Sequence, residues 1–204
     1  MTDIESGWRA FTADPLPQLL RGALAHFVAQ GYNGTTIRQL AAAVDLSVPG
    51  LYHHYASKQE LLVAIVDAAM ADLWWRSEAA LAEAGDDLLR RLDLLVECLV
   101  LFHANRRELA FIAVSEMRSL EPEARARYIA NRDRQQALMD GVVEQGASAG
   151  VFTTPFPHEV SRAVVTMCTG VAQWFRHSGS FTPEELAERY RVMARMAVGA
   201  PTVP

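Results

Sequence analysis

Residues 35–62 read TTIRQLAAAVDLSVPGLYHHYASKQELL, and this stretch decides the fold class. Thr36 and Gln39 have the Thr-x-x-Gln spacing of a capping box, in which each side chain hydrogen-bonds to the backbone N–H of the other residue. A helix is therefore expected to begin after Thr36 and to end near Ala43.

A second, shorter helix is expected over residues 48–54. Ser47 is its N-cap, and Pro49 is tolerated in the first turn because no intrahelical donor is needed there. Two helices joined by a tight turn within residues 35–55 are typical of a helix-turn-helix, which presents its second helix to the major groove of DNA.

The rest of the chain is predicted to be helical as well. Apolar residues recur at spacings of three and four, and no stretch shows the alternation of a strand. The first helix is expected from Pro15–Pro17 to Gly31, and Ser57 with Glu60 is a second capping box that opens a long helix ending at about 75–84. Further helices are expected at about 87–104, 107–120, 122–147, 157–178 and 183–198. The prediction is an all-α fold of about nine helices, with a three-helix N-terminal head and a C-terminal bundle.

Four segments follow from this reading. Residues 1–14 are expected to be a flexible N-terminal arm, and residues 15–60 the helix-turn-helix head. Residues 61–198 would bind a ligand and form the dimer, and residues 199–204 are expected to fray.

Composition limits the class of protein. The chain has 204 residues, half of them hydrophobic, and a net charge of −5, which argues against nonspecific coating of nucleic acid. Cys98 and Cys168 lie far apart on apolar stretches and are interpreted as buried free thiols. Because no signal peptide and no membrane-spanning run is found, a cytoplasmic protein is expected.

The sequence gives little reason to expect an enzyme. His103, Cys98 and Glu116 are the only conceivable catalytic grouping, and no nucleophile elbow or phosphate loop accompanies them. No metal-ligand spacing is present, so neither a metal nor a cofactor is expected.

The helix over 48–54 carries the candidate DNA contacts. Gly50 would let the backbone approach DNA closely, and Val48 with Pro49 would touch thymine methyl groups. Further polar groups can reach phosphates or base edges, namely those of Thr36, Arg38, Tyr52, His53, His54 and Lys58. His54 could equally brace the following helix, and Lys58 could be an ordinary helix-start residue.

Three stretches resemble the DNA-binding domain of the TetR family of repressors. They are Gly31–Ala41, Val44–Tyr55 and Ser57–Leu62, within a match over about residues 16–64. The resemblance implies dimeric all-α proteins with a variable ligand domain, whose last two helices form a four-helix interface. It assigns DNA contact to Thr36, Arg38, Ser47, Pro49, Tyr52, His53, His54 and Lys58.

The C-terminal bundle is expected to read a small-molecule signal, because helices around an apolar cavity are a common ligand site. The candidate effector residues are Phe102, His103, Phe111, Ser115, Glu116, Arg118, Tyr128, Met167, Val171 and Trp174. Glu116 could instead pair with an arginine for a purely structural purpose. The apolar members could equally be plain core.

Two further features concern the partner molecules. The helix over 157–178 has two apolar stripes, of which one is assigned to the cavity and core and the other to the dimer partner. The final helix offers Leu186, Tyr190, Met193 and Ala197 to the same interface.

The chemical class of the effector has several readings. Four arginines on one helix, Arg125, Arg127, Arg132 and Arg134, form either a solvated face or a cradle for a phosphorylated ligand. Scattered positions over about 100–190 are similar to regulators of fatty-acid and sterol breakdown that sense acyl-CoA thioesters. A neutral lipid or an aromatic compound would fit an apolar cavity equally well.

One alternative function stays open. Residues 1–60 contain four basic and five acidic side chains, and Arg9 is the only basic residue of the arm. The prediction is a ligand-released, homodimeric repressor of a palindromic operator with few phosphate contacts. The alternative is a ligand-binding or assembly protein whose head no longer binds DNA.

Overall fold

The computed structural model describes residues 7–201, which form nine α-helices, one 3-10 turn and no strand. The helices are α1 Gln18–Gly34, α2 Ile37–Ala42, α3 Val48–His54, α4 Lys58–Ala84, α5 Leu88–Asn105, α6 Arg107–Ser115, α7 Pro122–Ser148, α8 Pro157–Trp174 and α9 Pro183–Val198. The all-α prediction is therefore confirmed. Residues 1–6 of the predicted arm and 202–204 of the predicted frayed end lie outside the described residues.

The helix-turn-helix elements begin at the predicted capping residues. The Thr36 hydroxyl accepts from the Gln39 backbone N–H at 3.3 Å, and the Gln39 side chain accepts from the Thr36 N–H at 2.8 Å. The Ser47 hydroxyl accepts from the Gly50 N–H at 3.1 Å and opens α3. These local bonds satisfy N–H groups that the first turn of a helix leaves without a partner.

The end of α1 contains a kink at Gly31. This residue has φ 73° and ψ 164°, a combination open almost only to glycine. The chain continues as a short helical turn to Gly34 before Thr35 extends toward α2. The predicted stop at Gly31 is thus where the regular helix ends.

Two predicted helix ends are wrong. The helix expected over 107–120 ends at Ser115, because Glu116 leaves the helical region and Met117–Ser119 form a 3-10 turn. The helix expected over 157–178 ends at Trp174, because the next residue, Phe175, is extended and buried.

The chain divides into two compact units. Unit 1 comprises the described parts of Met1–Thr12, Leu73–Arg107 and Arg132–Pro204. Unit 2 comprises Ala13–Asp72 and Glu108–Asn131.

Unit 2 has a single apolar core. Side chains from α1 to α4 pack with others from α6 and the start of α7. Its buried members include Leu24, Phe27, Leu40, Leu51, Leu61, Leu62, Ile65, Leu109, Ile112, Leu120 and Tyr128. The helix-turn-helix therefore shares its core with residues 108–131.

In unit 1, α5 packs against α8 and α9. The Arg195 guanidinium on α9 binds both carboxylate oxygens of the buried Asp93 on α5. Such a bidentate pair fixes the relative orientation of two helices as well as adding energy. It raises the pKa of Arg195, chiefly through the hydrogen bond to Asp93.

The segment before α1 packs within unit 1. Trp8 is buried and donates its indole N–H to Glu83 at 2.7 Å. Arg9 forms ion pairs with Glu83 at 2.7 Å and with Glu97 at 2.6 Å. Arg76 donates to the carbonyls of Trp8 and Ala10. In this structure Arg9, the basic residue of the predicted arm, is used within unit 1.

The residues that follow α9 are held by hydrogen bonds within unit 1. Gly199 adopts a left-handed conformation with φ 67°, and Ala200 donates to the Arg195 carbonyl at 2.9 Å. Thr153 donates through its hydroxyl to the Gly199 carbonyl at 2.9 Å. Among the described residues, no helix is long and apolar enough to cross a membrane.

Candidate nucleic-acid interface and effector site

The outer face of α3 is the most distinctive surface of unit 2. Tyr52 is 46% exposed, and Pro49, His53 and His54 are exposed beside it. The opposite side of the helix is anchored by Leu51, which is completely buried. Leu51, with the half-buried Val48, therefore holds the helix against the core while Tyr52, His53 and His54 are exposed to solvent.

The remaining α3 candidates lie at its first turn. Val48 and Gly50 are half-buried, and the exposed Ser47 is engaged as the N-cap. A Cβ on Gly50 would lie 3.2 Å from the Ser47 hydroxyl oxygen, so even alanine would crowd the cap. Glycine at this position thus leaves room for the Ser47 cap. The absence of a side chain also fits the expectation that the backbone here approaches DNA closely.

The DNA-contact candidates outside α3 differ in their hydrogen bonding. Arg38 is exposed on α2. The exposed Thr36 hydroxyl donates to the Gln39 side-chain oxygen at 2.7 Å as part of the capping box. Both exposed residues lie at the start of α2, Thr36 as its N-cap and Arg38 in its first turn.

Lys58 has structural partners. Its ammonium donates to the carbonyls of Tyr32 at 2.8 Å and of Thr35 at 2.9 Å. It also lies 4.2 Å from the centre of the Tyr32 ring. Lys58 therefore closes the C-terminal end of α1, as expected of a cation beside helix carbonyls.

The ten effector candidates fall into two groups. Phe102, His103, Met167, Val171 and Trp174 belong to unit 1, whereas Phe111, Ser115, Glu116, Arg118 and Tyr128 belong to unit 2.

The unit 1 group is mostly interior. Phe102, His103 and Val171 are buried, Met167 is half-buried, and Trp174 is 51% exposed. His103 Nδ1 lies 2.6 Å from the Leu99 carbonyl oxygen of its own helix. Burial lowers the pKa of His103 to about 4, although the Leu99 bond opposes the shift. The imidazole is therefore neutral at pH 7 and would offer a ligand no charge.

The unit 2 group is more varied. Tyr128 is buried in the unit 2 core, Phe111 is half-buried, and Ser115 and Arg118 are exposed. Glu116 accepts from the Ser119 hydroxyl at 2.7 Å, which is a local bond across the 3-10 turn. The hydrogen bond therefore gives Glu116 a structural use, although its partner is a serine rather than the arginine considered from the sequence.

A buried polar pair in unit 1 was missed from the sequence. Gln135 is only 7% exposed, and its Nε2 donates to the Ser77 hydroxyl at 2.8 Å. That hydroxyl donates in turn to the Leu73 carbonyl at 2.9 Å. The Gln135 side-chain oxygen is buried and has no hydrogen-bond partner among the described residues. A bound molecule with a donor group would satisfy it.

The sequence around Gln135 concealed its burial. The run Asn131–Gln136 contains only polar residues and is typical of a solvated helix face. The remaining signal was the spacing of Gln135 to Met139 and Val142, which are buried one and two turns further along α7.

Two family models match the chain. The model described as "Bacterial regulatory proteins, tetR family" matches residues 19–65, and "Tetracyclin repressor-like, C-terminal domain" matches residues 85–198. The second match alone covers more than half of the chain.

Known proteins are similar over most of the length. The HTH-type transcriptional repressor KstR2 of Mycobacterium tuberculosis is 27% identical over 177 residues, covering 85% of this chain and 87% of that protein. A tetR-family regulatory protein from Rhodococcus RHA1 has a TM-score of 0.82 at 31% identity, covering 94% of this chain and all of that one. AibR, solved in complex with isovaleryl coenzyme A and operator DNA, has a TM-score of 0.77 at 25% identity, covering 89% and 97%.

The capped α2–α3 pair with its exposed outer face, both family models and these relatives agree. The chain belongs to the TetR family of bacterial transcriptional regulators.

Proposed function

We propose that this chain is a homodimeric repressor that places α3 of each protomer in the major groove of a palindromic operator and leaves it when a small molecule enters unit 1. The observation that carries the proposal is the outer face of α3, where exposed aromatic and imidazole groups lie on a helix anchored by one buried leucine.

The chemistry of this face suits base reading. Tyr52 can donate to a base edge or a phosphate, and each imidazole of His53 and His54 can donate or accept. Pro49 offers an apolar contact to a thymine methyl group. Because Arg38 is the only cation on α2 and α3, we expect few phosphate contacts and a shallow dependence of affinity on salt.

A second copy of the chain would supply the other half-site. Apolar side chains are exposed on the last two helices of unit 1, namely Trp174, Val192, Met193 and Met196. This surface supports a dimer through α8 and α9. A dimer would present two α3 helices about 34–36 Å apart, one turn of DNA.

The first experiment selects genomic DNA fragments with the purified protein and measures operator affinity by fluorescence anisotropy. We expect one palindrome to be enriched. Tyr52→Ala should weaken binding to it by roughly 5- to 150-fold, since one good base contact contributes about 1–3 kcal/mol. Trp75→Ala is the matched control, because Trp75 is an equally exposed aromatic (48%) in unit 1.

Two results would contradict the DNA-binding proposal. Selection of no palindrome would favour a ligand-binding or assembly protein whose head has lost DNA affinity. If the palindrome binds but Tyr52→Ala behaves like the control, Tyr52 is not a DNA contact.

The effector is proposed to bind in unit 1. Support comes from the buried Gln135 oxygen without a partner beside Ser77, and from Phe102 on α5 one turn beyond Cys98, whose sulfur lies 3.8 Å from the Ser77 hydroxyl. AibR, solved with isovaleryl coenzyme A and operator DNA, makes an acyl-CoA thioester the first compound to test.

The effector experiment titrates isovaleryl-CoA into the protein–operator complex, with free CoA as the control. Release by the thioester alone is expected if the acyl group enters unit 1. An effector must prefer the state that does not bind DNA, since equal affinity for both states shifts nothing. Saturating thioester that binds without changing operator affinity would exclude this class of effector.

A further inference from the structure

The helix-turn-helix of this chain shares its apolar core with a later segment, residues 108–131. Leu109, Ile112, Leu120 and Tyr128 are buried in the same core as α1 to α4. A displacement of residues 108–131 would therefore change the packing of α2 and α3 through this shared core.

The junction between α1 and α2 is the point at which the orientation of the helix-turn-helix is fixed. There the Gly31 backbone makes its kink, and the buried Thr35 hydroxyl donates to the Gly31 carbonyl at 2.8 Å and to the His26 carbonyl at 3.2 Å. Because Thr35 is followed directly by Thr36, the N-cap of α2, this junction sets the direction in which the helix-turn-helix leaves α1.

The junction is closed by the first turn of α4. Lys58 binds the carbonyls of Tyr32 and Thr35, and its ammonium lies over the Tyr32 ring. The Phe27 ring packs against the Tyr32 ring, with 5.6 Å between the two ring centroids. Tyr32 is thus held through its backbone carbonyl and through ring contacts with Lys58 and Phe27.

The next residue of α4 connects this junction to the turn between α6 and α7. The Gln59 amide is oriented with its nitrogen toward two acceptors and its oxygen toward one donor. Its Nε2 donates to the Tyr32 hydroxyl at 3.0 Å and to the Ser119 carbonyl at 3.1 Å. Its Oε1 accepts from the Glu121 backbone N–H at 2.8 Å. One side chain therefore joins α1, α4 and residues 119–121.

We propose that Gln59 is a positioning residue for DNA recognition, which couples residues 117–121 to the junction that orients α2 and α3. The inference rests on the proposed function, and it adds where the DNA-reading helices are held and which segment can move them. Gln59 would touch no DNA. It would act through the Tyr32 hydroxyl and the Glu121 N–H.

The coupling can be tested with operator DNA alone, because energetic coupling between two sites is reciprocal. If residues 117–121 influence operator binding, operator binding must in turn slow opening of residues 117–121. The measurement is amide hydrogen exchange of the full-length protein with and without the selected palindromic duplex. The Ser119 amide is the reporter, since it donates to the Glu116 carbonyl at 2.9 Å and keeps that acceptor when Gln59 is replaced.

The variant is Gln59→Leu, which keeps the side-chain size and removes all three bonds. Gln136→Leu is the matched control, because Gln136 is a half-buried helical glutamine of unit 1 whose side chain donates to Asp140 on its own helix. Tyr32→Phe removes one bond and keeps the ring over Lys58, so it serves if Gln59→Leu folds poorly.

In the wild type and in Gln136→Leu, operator DNA should slow Ser119 exchange by roughly 2- to 30-fold, which corresponds to a coupling of 0.5–2 kcal/mol. In Gln59→Leu the slowing should persist at residues 35–54 and disappear at Ser119. A purely structural role would speed Ser119 exchange in the free variant but leave its response to DNA intact.

Two outcomes would overturn the proposal. One is a wild-type Ser119 amide that does not respond to DNA, and the other is an equal Ser119 response in the wild type and Gln59→Leu. Failure of the proposed function is distinguishable, since in that case no duplex is selected in the first place.

Discussion

His103 shows what a single buried ionisable side chain does to this molecule. It is buried in α5, and Nδ1 lies 2.6 Å from the Leu99 carbonyl oxygen. Desolvation lowers the pKa of His103 to about 4 from the 6.5 of a free histidine. The folded protein therefore holds the neutral imidazole at pH values where the unfolded chain is already protonated.

This shift predicts a loss of stability in mild acid. Between pH 6.5 and pH 4 the unfolded state binds more protons than the folded state, so the free energy of unfolding falls as pH is lowered. Between pH 7 and pH 4 the loss should be on the order of 3 kcal/mol. Urea unfolding at pH 7, 5.5 and 4 measures it.

His103→Phe is the comparison for this prediction, since Phe cannot titrate and has a similar ring size. The variant should lose most of the wild-type slope between pH 6.5 and pH 4. Exposed His158→Phe should keep the full slope. Equal slopes in the wild type and His103→Phe would contradict the burial of a neutral imidazole.

Among the helices, the kink at the end of α1 is the feature most dependent on one residue. Gly31 has φ 73° and ψ 164°, while Gly34, three residues later, has no positive φ. A Cβ at Gly34 would meet only Gln30 Cβ, at 3.6 Å. The two glycines therefore differ in conformation rather than in crowding.

Gly31→Ala should lower the free energy of unfolding by about 1–3 kcal/mol, since alanine is strained in this backbone region. Gly34→Ala should be neutral or stabilise by up to about 1 kcal/mol, because it restricts the unfolded chain without strain. Thermal unfolding of both variants measures the difference. Equal destabilisation by both would show that the kink is not what requires glycine.

How far each helix could be predicted depended on whether its ends carry local signals. The start of α2 at Thr36 and of α3 at Ser47 follow from side chains that bond to their own first turn. The end of α8 has no such signal. Its last turn stops because Phe175 turns into the interior, where it stacks edge-on with Trp174 and His177.

The same limit applies to the candidate sites. The outer face of α3 was predictable, because it consists of neighbouring residues on one short helix. The partnership of Gln59 with Ser119 and Glu121 was not predictable, since it joins residues 60 and 62 positions apart. The burial of Gln135 likewise depends on Ser77, 58 positions away.

For the whole molecule, the exposed apolar surface of unit 1 is where we expect the proposed second copy to bind. Met196 is 67% exposed on α9, and Met193 is exposed on the same helix. Leu186 and Tyr190, which the sequence assigned to the dimer interface, are instead buried within unit 1. The earlier assignment was wrong for these two residues, because the inward stripe of α9 packs on α5 in the same chain.

Met196→Glu should convert the proposed dimer into a monomer, since a charge in the middle of an apolar interface would be buried without a partner. Analytical ultracentrifugation measures the mass, and operator affinity should fall because a monomer holds only one half-site. Val114→Glu is the control, as Val114 is an exposed apolar residue of unit 2. A Met196→Glu dimer of undiminished strength would move the interface elsewhere.

The two cysteines give the chain a practical property. Cys98 and Cys168 are both buried, and burial followed by the proximity of Cys98 raises the pKa of Cys168. Thiolates react with maleimides and thiols hardly do, so both native sulfurs should stay unlabelled in the folded protein. A cysteine introduced at the exposed Ala29 of α1 would then be the only site to take a spin label. With one label on each protomer of the proposed dimer, electron paramagnetic resonance would measure the distance between the two helix-turn-helix heads directly.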